Sequence, residues 1–431
     1  MMRYRSTRRG AGEVGFEEAI LEGIAPDGGL YWPTAVPPLP DGWAAAGSPA
    51  ALARLVLPVY MGEEAAEAVA QGLDFPWPVV ELPGDVYLLE LFHGPTAAFK
   101  DVGARSLARS MGAALERRGA AVTVLVATSG DTGSAVADAF SGVPNVRVAV
   151  LYPSGGVSPV QEAQLTAERP GVRAFAVKGT FDDCQRLVKA AFADPALEGL
   201  RLTSANSINV GRLLPQALYY LWGTARVWEA RGAEEALRVV VPSGNLGNLT
   251  AGMLAAEAGL AVAGFLAAHN RNDYFPRYLA GAADAFAFAA GVATPSNAMD
   301  VGAPSNFERL HAWLGEDMRR RVTGLAIDDD ATFATMRATS LAGGRLVCPH
   351  TAVGLAALER LRAATEGEAA VPALVLATAH PAKFPEAVLR ATGMAPDVPA
   401  QLRRFAAAPK RVESLQPESA ALRAALLDWP D

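Results

Sequence analysis

The sequence predicts an α/β protein built on parallel sheets, and three observations carry that prediction. Short runs rich in β-branched and apolar residues recur along the chain. Polar, glycine-containing turns follow several of them, and helical stretches follow the turns. Strands that read as continuous apolar runs belong to sheets covered on both faces, and intervening helices supply the cover. The chain is long enough for this, since 431 residues correspond to two or three domains with a large core.

The elements follow in order. Residues 1–95 are rich in Pro and Gly, with short helical patches at Phe16–Glu22 and 63–71, and read as a separate N-terminal region. The first strand–turn–helix unit is Val122–Ala127, then Thr128-Ser-Gly-Asp-Thr-Gly133, then a helix over 134–140. A strand over 146–152 is stopped by Pro153, and 181–193 reads as a helix ending before Asp194-Pro195. A second such unit has a strand at 238–242, then Ser243-Gly-Asn-Leu-Gly-Asn248, then a helix over 249–258 and a strand over 261–267. Ala373–Ala377 is a further short buried strand, and the alanine-rich tail at 401–427 reads as helix. In parallel sheets ligands collect at the carboxyl ends of the strands, which is where the polar loops fall.

Composition narrows the function. Apolar residues make up 51% and charged residues 19%, a globular balance. The net charge of −7 and the absence of a long basic run argue against a nucleic-acid binder. The two cysteines, Cys184 and Cys348, exclude a disulfide scaffold, and neither they nor the five histidines have metal-ligand spacing. The basic N-terminus lacks a following apolar segment, and the apolar stretches stop short of a bilayer span. A cytoplasmic protein without metal or membrane partner is expected.

Five segments carry candidate chemistry. Lys100 lies in Leu91-Phe-His-Gly-Pro-Thr-Ala-Ala-Phe-Lys-Asp101. A lysine between an aromatic residue and a carboxylate, just after a Gly-Pro turn, is a candidate Schiff-base nucleophile and base. Ser243–Asn248 joins a buried strand to a helix start, and its amides suit a phosphate dianion. It lacks the Gly-Lys-Ser/Thr ending of a nucleotide loop. In Thr128–Gly133 the amides and the hydroxyls of Ser129 and Thr132 suit a substrate carboxylate; the alternative is a capped turn with Asp131 or Thr132 as N-cap. Thr378 ends a strand, where its hydroxyl suits an uncharged heteroaromatic nitrogen or a backbone partner. Ser204-Ala-Asn-Ser-Ile-Asn-Val-Gly-Arg212 offers Ser207, Asn209 and Arg212 to a second phosphate, or an ordinary capped helix entry. His350 and His380 read as hydrogen-bonded structural histidines near the pocket.

Taken together, these segments resemble the threonine synthases of the longer type with an extended N-terminal region. The resemblance covers nearly the whole chain. It runs through Glu17–Tyr31, Leu91–Arg105, Ala127–Phe140, Leu151–Gln161, Phe181–Gln185, Asn206–Leu214, Val241–Gly252, Ser296–Asp300 and Thr378–Phe384. It implies the fold type II pyridoxal-phosphate architecture, similar to the tryptophan synthase β chain, with two parallel-sheet α/β domains and an N-terminal region. On that pattern residues 1–95 form the N-terminal region. Residues 96–225 form a smaller domain with the cofactor lysine and the substrate-carboxylate loop, and 226–431 a larger one with the cofactor-phosphate loop.

The resemblance further implies pyridoxal 5'-phosphate bound covalently to Lys100. Ser243, Gly244, Asn245, Leu246, Gly247 and Asn248 would hold its phosphate, with Thr378 at its ring nitrogen. Ser129, Gly130, Asp131, Thr132 and Gly133 would hold the substrate carboxylate, and Ser207, Asn209 and Arg212 the substrate phosphate. The implied reaction turns O-phospho-L-homoserine and water into L-threonine and phosphate, the last step of threonine biosynthesis, in a monomer or homodimer. The alternatives are a related phospho-amino-acid lyase or dehydratase, or a catalytically silent paralogue; retention of Lys100, Gly244 and Gly247 disfavours the latter. One departure is visible: Ala97 stands where a bulky or apolar residue is expected, which softens the wall near Lys100 and removes no reactive group.

Overall fold

The computed structural model describes residues 2–367 and 371–429. Its strands, in chain order, are β1 (Tyr4–Ser6), β2 (Tyr31–Pro33), β3 (Val79–Leu82), β4 (Val86–Glu90), β5 (Val122–Ala127), β6 (Val146–Pro153) and β7 (Val172–Val177). They continue with β8 (Leu202–Thr203), β9 (Leu237–Pro242), β10 (Val262–His269), β11 (Val322–Ala326), β12 (Ala373–Ala377) and β13 (Glu413–Leu415). β1 and β2 pair antiparallel as a small ribbon. The other strands form two sheets, ordered β11-β10-β9-β12-β4-β3 and β13-β7-β6-β5-β8. Every pairing in the second is parallel, and in the first only β3 runs antiparallel, against β4.

The expected buried strands are buried. Every residue of β4, β5 and β12 is closed off from solvent, because helices cover both faces of each sheet. The helix after β5 spans Asp131–Phe140, three residues longer at its start than the sequence suggests. The reason is that Gly130, at φ 130°, turns the chain sharply enough for Asp131 to begin the helix; neither Asp131 nor Thr132 is its N-cap. The tail does not form one helix. Ala400–Ala407 and Ser419–Leu427 are separated by β13, which pairs with β7. Alanine content favours helix throughout this stretch, but the exposed edge of β7 recruits the segment between.

Sheet membership crosses the expected boundaries at residues 95 and 225. β3 and β4 precede residue 95 and belong to the six-stranded sheet, whereas β13 near the C-terminus closes the edge of the five-stranded one. Both sheets have a reversal of strand order. In the larger sheet β9 lies between β10 and β12; in the smaller, β5 lies between β6 and β8. Loops on the two sides of such a reversal diverge and leave a crevice at the strand carboxyl ends. The loops after β5, β8, β9 and β12 all line one cavity.

Candidate active site

That cavity has a volume of about 240 Å³. Lys100 opens the helix Lys100–Arg118, so its amine sits at a helix N-terminus, where the partial positive charge disfavours protonation. Backbone pairing brings it to the end of β12: the Phe99 amide donates to the Thr378 carbonyl (2.8 Å), and the His380 amide to that of Ala97 (3.0 Å). Thr378 and Lys100 therefore face the same space. Burial pushes the Lys100 ammonium down to about 8; Asp131 opposes this, and Arg212 and Lys383 reinforce it. Although the residue as a whole retains contact with the cavity, its amine is enclosed by protein, so the downward direction follows from desolvation.

Asp131 lines the cavity, but its carboxylate is occupied. Lys383 Nζ lies 2.8 Å from Oδ1, and Gln161 Nε2 donates to the same oxygen at 2.9 Å. An anion held in this way repels a substrate carboxylate, so its side chain does not fit the role expected for it. Thr128 Oγ1 accepts from the amides of Gly130 (2.9 Å) and Gly133 (2.8 Å), and neither glycine lines the cavity. Ser129 and Thr132 do line it, and with the amides of Asp131 and Thr132, which precede the helical ladder, they are what the loop offers to an anion.

The loop after β9 is built by backbone conformation. Leu246 adopts a left-handed φ of 59° and leads directly into the helix Gly247–Glu257. The first intrahelical bond runs from the Thr250 amide to the Leu246 carbonyl, so the amides of Gly247, Asn248 and Leu249 precede the helical ladder and are available to an anion. All six residues from Ser243 to Asn248 line the cavity. Two side chains are spent locally: Ser243 Oγ donates to Val241 O (2.8 Å), and Asn245 Nδ2 to Ser207 Oγ (2.8 Å). Asn248 differs. Tyr219 and Tyr220 hold its Oδ1 at 2.5 and 2.6 Å, and its buried Nδ2 has no partner among the described residues.

The loop after β8 divides. Ser207 and Arg212 line the cavity; Asn209 does not. Asn209 is the N-cap of the short helix Val210–Leu213, and its Nδ2 is bound to the carbonyls of Ile20 (2.8 Å) and Ser204 (2.9 Å). The capped helix entry is the reading that fits this residue. Arg212 is buried, donates to Ala205 O at 2.6 Å, and is pushed down to about 10 by burial, opposed by Asp101.

His350 has a larger place than the sequence suggested. It lines the cavity, and its Nε2 accepts from the Ala298 amide at 3.2 Å. The proton of the neutral ring therefore resides on Nδ1, which is buried with no partner among the described residues. Burial holds His350 down at about 4, so the neutral form prevails. His380 lies outside the lining, and its Nδ1 accepts from the Ala382 amide (3.1 Å). Ala97 adopts φ 57° and is fully buried beside Phe405. Left-handed backbone disfavours bulky and β-branched side chains, which accounts for the small residue here.

A buried amine of lowered basicity, a phosphate-sized set of helix-terminal amides, and partnerless donors on Asn248 and His350 fit pyridoxal phosphate. With this architecture they define a fold type II pyridoxal-phosphate-dependent enzyme. The family model "Pyridoxal-phosphate dependent enzyme" matches residues 73–378, "Threonine synthase N terminus" residues 3–71, and "Threonine synthase, C-terminal" residues 351–426. The chain is 41% identical to the threonine synthase of Serratia marcescens over 367 residues, covering 80% of this chain and 82% of that one. The crystal structure of Escherichia coli threonine synthase superposes with a TM-score of 0.89 at 39% identity, over 99% of this chain and 100% of the other. A pyridoxal-phosphate-bound threonine synthase from Brucella melitensis gives 0.89 at 35% identity, over 99% of both. The chain belongs to the threonine synthase family.

Among the described residues no helix is long and apolar enough to cross a membrane, and no group of His, Cys, Asp and Glu is placed to hold a metal ion.

Proposed function

We propose that this enzyme converts O-phospho-L-homoserine and water into L-threonine and phosphate in the cytoplasm, using pyridoxal phosphate bound to Lys100. The observation that carries the reading is the enclosed Lys100 amine at a helix start. It faces one cavity with the Ser243–Asn248 loop and Thr378, in a chain that matches threonine synthases along nearly its whole length.

The residues divide the work as follows. The amides that open Gly247–Glu257, with Asn248 Nδ2, hold the cofactor phosphate. Thr378 offers the ring nitrogen a neutral hydroxyl, which does not keep a proton on it as a carboxylate would. Ser129, Thr132 and the neighbouring amides bind the substrate carboxylate. Arg212 and Ser207 face the substrate phosphate, to which a guanidinium contributes a charge-assisted bond. When bound, pyridoxal phosphate supplies the electron sink that acidifies the substrate carbons and lets phosphate leave from Cγ. With pyridoxal phosphate bound, Lys100 would carry the proton off Cα and back to it, while Cβ gives up a proton and gains water's hydroxyl and Cγ gains a proton as phosphate departs, with the nitrogen retained. A lysine pushed to about 8 is neutral far more often near neutral pH than an ordinary lysine, as a base requires.

The test is a product assay with O-phospho-L-homoserine. Equal amounts of threonine and phosphate support the proposal. Formation of 2-oxobutanoate, ammonia and phosphate with no threonine would identify a lyase and overturn it.

A further inference from the structure

We propose that Asn306 and Arg309, which do not line the cavity, fix Ser207 as an oriented hydroxyl donor toward a phosphate group inside it. This rests on the reading that the cavity takes phosphorylated molecules. It concerns two residues that no motif pointed to.

Arg309 is fully buried, and its bonds all end on carbonyl oxygens: Tyr31 O (3.1 Å), Ser207 O (3.2 Å), Ile208 O and Asn306 Oδ1. A guanidinium only donates, so the oxygen of the Asn306 amide must face it. Asn306 Nδ2 then points the other way and donates to Ser207 Oγ and Asn245 O, each at 3.1 Å. Asn245 is fixed by the same logic. Its Oδ1 accepts from the Ser305 amide, which leaves Nδ2 to donate to Ser207 Oγ at 2.8 Å. A serine hydroxyl has two lone pairs and one proton. Both lone pairs of Ser207 are taken, so its only remaining act is to donate, and Ser207 lines the cavity.

The position ties both phosphate-binding loops together. A Cβ on Gly247 would lie 3.0 Å from Ser207 Cβ and 3.1 Å from Asn306 Nδ2, so Ser207 packs directly on the cofactor loop. The acceptor is therefore a phosphate oxygen of either the cofactor or the substrate, and the experiment separates these two. Arg309 and Asn306 touch neither; they are positioning residues acting through Ser207.

The informative variant is Asn306→Asp. It keeps the acceptor facing Arg309 and gives that buried cation a counter-charge, but replaces the amide donor with an acceptor, so the Ser207 proton turns away from the cavity. Two probes are titrated: pyridoxal phosphate onto the apoenzyme by absorbance, and inorganic phosphate onto the holoenzyme by calorimetry. Affinity for one probe should fall about tenfold to a hundredfold, the range for one hydrogen bond to a charged group. The probe that weakens identifies the acceptor. Ser207→Ala should lose as much, and adding Asn306→Asp to it should cost nothing further. The melting temperature of Asn306→Asp should stay close to that of the parent, the counter-charge to Arg309 offsetting the bond lost to Asn245 O.

Unchanged affinity for both probes overturns the proposal. So does a loss that persists on the Ser207→Ala background, which would be charge repulsion, or one that accompanies a lowered melting temperature, which would be a general structural defect. A parent enzyme that makes no threonine would sink the functional reading by itself, while both probes would still report the polarity of Ser207.

Discussion

Lys383 Nζ and Asp131 Oδ1 lie 2.8 Å apart with both side chains closed off from solvent. The lysine follows β12 of the six-stranded sheet, and the aspartate follows β5 of the five-stranded one, so the pair spans the two sheets beside Lys100. Thr96 O accepts from the same ammonium at 3.0 Å, and Gln161 completes the carboxylate's partners. Burial pushes the Asp131 carboxyl up, but Lys383, followed by Lys100 and His350, outweighs it and holds the group well below the usual carboxylate range.

Lys383→Met leaves a buried, uncompensated carboxylate and should destabilise the protein by about 3–5 kcal/mol. Adding Asp131→Asn should recover a large part of that loss. The folded carboxyl is depressed, so its contribution is present above the unfolded value, near 4, and is lost as pH falls toward the folded one. Denaturant unfolding at neutral pH and across the acid range checks both statements. A single variant as stable as the parent would remove the pair from the account.

Lys100 should set the pH at which the cofactor is captured. With its ammonium pushed to about 8, the rate at which the apoenzyme captures pyridoxal phosphate should rise with pH through that value. Between about 8 and the ordinary lysine value near 10.4, the unfolded chain holds more protons than the folded one, so apoenzyme stability should rise with pH across that window. Lys383→Met removes a repelling cation and frees Asp131, and both changes move the capture profile to higher pH. Stopped-flow absorbance follows it; a parent profile centred near 10 would contradict the enclosed amine.

Two glycines should respond differently to an added methyl group. A Cβ on Gly244 would lie 2.9 Å from Met299 Cα, a backbone atom that cannot swing aside. Gly244→Ala should cost about 1–3 kcal/mol and weaken cofactor binding, because the displaced loop lines the cavity. Gly142, at φ 71°, has open space around it, so Gly142→Ala should cost about 1–2 kcal/mol of backbone strain with cofactor affinity intact. Thermal melts and cofactor titration distinguish the two.

What was legible in the sequence is local. Lys100, the Ser243–Asn248 loop and Thr378 each stand at the end of a readable strand or turn, and the fold brings them to one cavity. What depends on distant partners was not legible there. Nothing around Lys383 in Pro381-Ala-Lys-Phe384 shows that its charge is matched by Asp131, and nothing around Asn306 or Arg309 shows that they point Ser207. Asn209 misled because an asparagine before a helix is equally a cap, which is what it became. β4, β7 and β11 were not anticipated either; their apolar runs are short, and the neighbours that bury them are supplied by the sheet.

The most direct measurement of the central claim is borohydride reduction of the cofactor-loaded enzyme followed by peptide mass mapping. The chain has five lysines, Lys100, Lys178, Lys189, Lys383 and Lys410, of which Lys100 and Lys189 line the cavity and Lys383 is paired just behind it. One pyridoxyl group per chain is expected on Lys100, with none on the other lysines, and none at all in Lys100→Ala. Label on Lys189 or Lys383 in the parent enzyme would contradict that claim.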